Sequence, residues 1–206
     1  MLTWTFKVLS SKLPTDPLKR RLIGEGLPSD WEGVLDYTSG KKREELYNVT
    51  HVDTKSIPLI FMDMGHSKPK GIVSIGGNRI KYEDNFNNWW PSISPIIKGM
   101  LNEGSVSDEW IENHIVKCML VLLKRGGEIP WHIDASDSLI HCRRVHVPII
   151  TNSEVIFMVN NTEMFLEEGT AYEINNQEPH SVVNNSFSDR VHLIVDFSLD
   201  TPYCTS

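Results

Sequence analysis

His132 and Asp134 stand two apart in the segment PWHID at 130–134. On a strand, residues two apart project to the same face, so an imidazole and a carboxylate point together. Gly126-Gly127, just upstream, can turn the chain sharply into that strand. A second imidazole, His180, stands at the head of another strand-like run, 179–184 (PHSVVN). Two neutral imidazoles and one carboxylate on one face of a metal leave about three positions open, which is the donor set of non-haem Fe(II) oxygenases. The open positions admit a chelating cosubstrate and dioxygen.

The chain has eight histidines, so a lone one means little, and a bare HxD arises often by chance. His51-Val52-Asp53 is a second HxD. It has no comparable later β-region, Pro58 follows soon after, and a loop or strand start is expected there. Arg190 distinguishes the first motif. If Asn184 and Arg190 flank a five-residue turn, Arg190, His192 and His180 share one side of an antiparallel ladder. Arg190 then lies four residues, roughly 13 Å, from His180. That gap fits a small dicarboxylate that chelates the metal at one end and meets a guanidinium at the other. Arginine binds carboxylate in bidentate fashion and stays charged at pH 7. Arg144 and His146 form another same-face pair, expected in the interior, because a dianion beside a metal needs more than one cationic or hydrogen-bonding partner. His192 either lines the same pocket or is a satisfied core residue.

These residues must be positioned by the surrounding elements. After Glu112 the chain breaks into short runs rich in Val, Ile and Phe: Ile115–Leu123, Ile129–Asp134, Arg143–Ile150, Glu154–Asn160, Thr170–Ile174, Pro179–Asn184 and Arg190–Ser198. Asn160-Asn161, Gly169, Asn175-Asn176 and Asn184-Asn185 separate them. This spacing suggests an antiparallel all-β barrel or sandwich. Upstream, 15–25 and 41–47 suit short helices, Ser56–Met64 suits a buried strand, and 71–80 suits a hairpin around Gly76-Gly77. Residues 87–103 suit a helix with proline near its first turn, its apolar positions recurring at three and four. The expected organisation is one domain, with residues 1–111 as an α/β buttress and 112–198 as the β core.

Lys and Arg total 20 against 27 Asp and Glu, a formal charge of -7 that argues against a sequence-independent grip on nucleic acid. No run approaches the roughly 18 apolar residues of a membrane span, and the N-terminal segment lacks the apolar stretch of a secretory signal. The three cysteines are far apart, which excludes a cysteine-rich zinc site and a disulfide scaffold. A cytoplasmic protein is expected.

The text from Trp131 to Phe197 resembles the aspartyl/asparaginyl β-hydroxylase-like Fe(II)/2-oxoglutarate dioxygenases, and within them is similar to bacterial proline cis-4-hydroxylases. The matching segments are PWHID at 130–134, RRVHVPI at 143–149, EEGTAYEINNQEPHSVVN at 167–184 and RVHLIVDF at 190–197. The resemblance implies a mainly β fold with flanking helices around a double-stranded β-helix (jelly-roll, cupin-like) core. It implies iron on His132, Asp134 and His180, the distal carboxylate of 2-oxoglutarate on Arg190, and help from Arg144 and His146. The animal peptide hydroxylases of the family have glycine where this chain has Asp134. They also carry a cosubstrate-binding serine on the strand before the HxD, where this chain has Val121.

The implied cofactors are Fe(II), 2-oxoglutarate as cosubstrate and O2. The implied substrate is an amino acid, or an Asp, Asn or Pro residue in a peptide, with the free amino acid preferred. Arg125, Arg143, Trp131, the 135–142 loop and segment 48–57 are candidates to surround it. The rival is a cupin-like metal-binding protein or isomerase without oxygenase activity. Such a protein has no need of an anchor at Arg190.

Overall fold

The computed structural model describes residues 5–24, 53–62, 72–74, 79–101, 106–134 and 142–198. Twelve strands and three helices lie within them: β1 (Phe6–Ser10), α1 (Asp16–Gly24), β2 (Thr54–Met62), β3 (Ile72–Ser74), β4 (Arg79–Tyr82), α2 (Glu83–Met100), α3 (Asp108–His114), β5 (Ile115–Leu123), β6 (Glu128–His132), β7 (Cys142–Ile150), β8 (Val155–Val159), β9 (Thr162–Met164), β10 (Ala171–Ile174), β11 (His180–Asn184) and β12 (Arg190–Ser198). The large sheet has the order β1-β10-β7-β12-β5-β2-β4-β3, and the small one β6-β11-β8-β9. From β5 onward the chain passes back and forth between the two sheets, apart from the β8–β9 hairpin within the small one, with β10-β7-β12-β5 facing β6-β11-β8-β9. This is a double-stranded β-helix, or jelly roll. β1 extends its large sheet at one edge and β2, β4 and β3 at the other.

The large sheet has two chemically different faces, and β12 shows why. Val191, Leu193, Val195 and Phe197 alternate with Arg190, His192, Ile194 and Asp196 along RVHLIVDFS. The first set joins one apolar core with Leu120, Leu122, Val145 and Val147, covered by Leu18 and Leu22 of α1 and by Trp89, Ile93 and Ile97 of α2. The second set turns toward the small sheet. There Phe157, Val159 and Val182 form a smaller apolar cluster with Tyr172 and Ile174. Helices seal one face of the sheet, so charged residues can be held on the other.

α2 begins before the predicted start at residue 87, so Pro91 and Pro95 lie inside it and not in its first turn. Both prolines are exposed. The carbonyls they leave without an N–H partner therefore sit on the solvent side, where water satisfies them. The predicted hairpin at 71–80 is present as β3 paired with β4, and its Gly76-Gly77 turn lies outside the described residues. The helix expected at 41–47 also lies outside them. Sequence periodicity missed β1, α3 and β9, each too short to show a period. No described helix is long and apolar enough to cross a membrane.

One expected pairing is wrong. β11 and β12 do not form a hairpin: β11 pairs with β6 and β8, and β12 pairs with β5 and β7. The connection crosses from one sheet to the other. Asn184 closes it from inside, its amide donating to the carbonyls of Lys124 at 3.1 Å and Ser188 at 2.9 Å. Its Oδ1 accepts from the Ser186 hydroxyl at 2.7 Å. With its polar groups met this way, the turn leaves β12 free to pair elsewhere.

Candidate metal centre and anion pocket

His132 ends β6 and His180 begins β11, and the two are direct register partners across the small sheet. Their rings lie 4.1 Å apart between centroids. Asp134 follows β6 and is pinned by its backbone N–H to the Asn176 carbonyl at 3.1 Å. His180 Nε2 lies 3.8 Å from Asp134 Oδ2. One ligand atom from each of the three residues lies within 4.8 Å of the others.

Both histidines are oriented the same way. His132 Nδ1 donates to the Pro130 carbonyl at 2.8 Å, and His180 Nδ1 donates to the Glu178 carbonyl at 2.9 Å. A proton held on Nδ1 puts the lone pair on Nε2, the tautomer a metal requires. Burial lowers the pKa of His180 to about 4, with the neighbouring His132 and Arg144 adding to the shift against the Glu178 hydrogen bond. The ring is therefore neutral and ready to ligate at pH 7.

A row of buried polar residues runs along the inner face of the large sheet. In register, Arg144 pairs with Asp196, His146 with Ile194, and His192 with Pro148. Arg190 is 1% exposed, His192 1% and Asp196 0%. Arg190 Nη2 donates to His192 Nδ1 at 2.6 Å, and His146 Nδ1 lies 3.4 Å from the same atom. Arg190 Nε and His192 Nε2 are buried with no hydrogen-bond partner among the described residues. No carboxylate there pairs with Arg190. Burial lowers the Arg190 pKa to about 9. Burial holds His146 and His192 well below their ordinary value, and the positive charge of Arg190 adds to that lowering at both rings. Phe157 meets the His146 ring edge-on at 5.3 Å and faces His180 at 6.4 Å.

Each candidate residue now has a place. His132, Asp134 and His180 converge, and Arg190, His192 and His146 lie together on the inner face of the large sheet. The ladder expected to link His180 to Arg190 is absent, since their strands belong to different sheets. Arg144, expected to help hold the cosubstrate, is met by two carboxylates. Its Nε and Nη2 both donate to Asp196 at 2.9 Å, and its Nη1 pairs with Asp134. Three of its five N–H groups are thus held by carboxylates. Arg143 pairs with Glu173 through two nitrogens. Arg125 sits in the turn before β6, roughly 13 Å of strand from His132 at the strand's far end. Trp131, beside the ligand His132, is 54% exposed.

Asp53 of the rival HxD has a structural role. Its carboxylate accepts from Glu128 N at 3.2 Å and its carbonyl from Lys124 N at 2.9 Å. It packs so closely on the β5–β6 turn that a Cβ on Gly127 would lie 2.7 Å from its own Cβ, while Gly126 has a φ of +66°. His51, residues 48–52 and the 135–141 loop lie outside the described residues. Sequence reasoning missed Asp196 and Ser56. Asp196 had a signal, because Arg190, His192 and Asp196 share the period of two. Ser56 is the β2 register partner of Val121, so a buried hydroxyl stands one strand over from the missing serine.

The three low histidine pKa values predict an acid-sensitive fold. Above about pH 6.5 these rings are neutral in both folded and unfolded chains, and they add no pH dependence. Below it the unfolded chain takes up protons that the folded interior refuses. Stability then falls by about 1.4 kcal/mol per pH unit for each ring, down to its folded pKa. Urea unfolding of metal-free protein at pH 7, 6 and 5 should show that steep decline. A flat profile would mean the rings are hydrated.

The family model described as aspartyl/asparaginyl beta-hydroxylase matches residues 92–199. No curated protein matches the chain. Among solved structures, a predicted oxalate decarboxylase from Thermotoga maritima is 19% identical over 46% of this chain and 76% of its own, with a TM-score of 0.35. A cupin domain from Bordetella pertussis is 20% identical over 46% of this chain and 88% of its own, with a TM-score of 0.33. Neither likeness bears on the chemistry.

Proposed function

The chain belongs to the aspartyl/asparaginyl β-hydroxylase family, and from that premise we propose that it is an Fe(II)- and 2-oxoglutarate-dependent dioxygenase. It hydroxylates an amino acid, or an Asp, Asn or Pro residue in a peptide, and forms succinate and CO2. The observation that carries this reading is Arg190: a buried guanidinium with no carboxylate partner among the described residues, linked through His192 to His146 on the inner face of the large sheet. A buried cation without a counter-ion is costly, and a carboxylate ligand would relieve that cost.

Charge balance supports the pair of cofactors. With His146, His180 and His192 neutral, the buried Arg144 and Arg190 balance the buried Asp196 and the partly exposed Asp134. A divalent cation alone, or a dianion alone, would leave a net buried charge of two. A divalent cation together with a dicarboxylate leaves none. His132, Asp134 and His180 would hold the iron, and the donor set of two imidazoles and one carboxylate suits Fe(II). Bound Fe(II) with 2-oxoglutarate and O2 supplies oxidative decarboxylation and the oxidising power to hydroxylate a C–H bond.

The protein's own residues do the rest. Arg190 holds the distal carboxylate, with Nε free to donate. His192 presents an unpartnered Nε2–H. Neutral His146 lies beside His192 on the same face of the sheet. Phe157 and the apolar cluster around it exclude water from that face.

Anaerobic titration with Fe(II) and then 2-oxoglutarate tests the reading. The expected result is a visible charge-transfer band that appears only when both are present. Bound iron with no band would overturn it in favour of a metal-binding protein or isomerase on the same donors.

A further inference from the structure

The two histidine ligands are each fixed by a hydrogen bond from Nδ1 to a carbonyl two residues earlier. Asp134 has no strand to hold it, because β6 ends at His132. Its side chain is held by Arg144, and Arg144 is itself set by Asp196. The Asp196 carboxylate is 0% exposed and is the register partner of Arg144 across β7 and β12. It takes the guanidinium edge through Nε and Nη2, both at 2.9 Å. That grip leaves Nη1 aimed at Asp134.

We propose that Arg144, locked by Asp196, is the positioning residue for Asp134, so that the buried Asp196–Arg144–Asp134 chain presents the third ligand to the metal. The proposal rests on the metal site read above. A carboxylate has about four acceptor lone-pair sites, so one can face Arg144 while others face a cation. Only a guanidinium can clasp one carboxylate with an edge and direct a further N–H to a second at a fixed angle. A lysine ammonium keeps the charge but lacks the planar fork. The arrangement gives the carboxylate ligand what the backbone carbonyls give the histidines.

The test is titration of the metal-free, full-length protein with Co(II) alone, read by calorimetry and by the Co(II) visible spectrum. A cosubstrate contact would not alter binding in the absence of cosubstrate, whereas a positioning residue would. Arg144→Lys is expected to lower Co(II) affinity roughly 10- to 100-fold, the usual effect of losing an outer-shell partner, and to change the ligand-field bands. The pair Arg144→Met with Asp196→Leu removes the fully buried Asp196 charge together with its partner and leaves unpaired only the partly exposed Asp134. It should fold and show the same loss.

The deciding comparison is a double-mutant cycle. In an Asp134→Ala background, Arg144→Lys should have no further effect on Co(II) affinity. An equal loss in both backgrounds, or unchanged affinity in Arg144→Lys, overturns the proposal. Absence of Co(II) binding by the wild-type protein would instead overturn the metal site on which the proposal rests.

Discussion

Replacing His180 with alanine is expected to lower metal affinity by on the order of 1,000-fold or more, since losing an outer-shell partner alone costs about 10- to 100-fold. His180 is the buried member of the triad, 4% exposed. Its Nδ1 is fixed by the Glu178 carbonyl, and its low pKa keeps the ring neutral at pH 7. The substitution removes a donor whose position no neighbour can supply. It also removes the ring that faces Phe157, so water enters the centre. Calorimetric titration with Fe(II) under anaerobic conditions measures the loss. Affinity within tenfold of wild type would mean that the cation is held elsewhere.

Arg190→Met should have two opposite effects. In the protein without metal or cosubstrate it removes a buried, unpaired cation and fills the space with an apolar chain. Holding an ion out of water costs several kcal/mol even after relaxation, and the substitution removes that cost. Loss of the donor to His192 offsets about 1 kcal/mol of that. A net rise in the urea midpoint is therefore expected. The same variant should bind 2-oxoglutarate on the order of 100-fold more weakly, since a charge-assisted bond is worth about 1.5–3 kcal/mol and the bidentate fork makes two. Gain of stability with loss of the anion is the signature of a residue kept for binding. A destabilised Arg190→Met that still bound 2-oxoglutarate would assign the arginine to the fold.

Most of the β core is legible from the one-dimensional pattern. β5 and β12 have the bounds that their Val- and Ile-rich runs indicate. β6, β7, β8, β10 and β11 fall within two residues of expectation. The asparagine and glycine turns are real, and Asn160 and Gly169 adopt φ of 50° and 68°. The candidate ligands are legible as residue types at a short spacing, but β6 ends at His132, so the Asn176 carbonyl and Arg144, rather than strand alternation, place Asp134. Alternation marks Arg190, His192 and Asp196 as one row on β12.

Which strand lies beside which is a different matter. A period of two says which residues share a face of their own strand. It does not say which sheet the strand joins or what faces it. A five-residue turn is compatible with a hairpin, yet Asn184 closes it on β5 while β12 inserts between β5 and β7. The sequence by itself determined the inventory: the three donors, the arginines, the histidines and the strands that carry them. Only the tertiary structure decided that Arg144 is held between Asp196 and Asp134, while Arg190 stays without a carboxylate. The two arginines are alike as residues, and they differ because long-range strand pairing delivers buried carboxylates to one and not to the other.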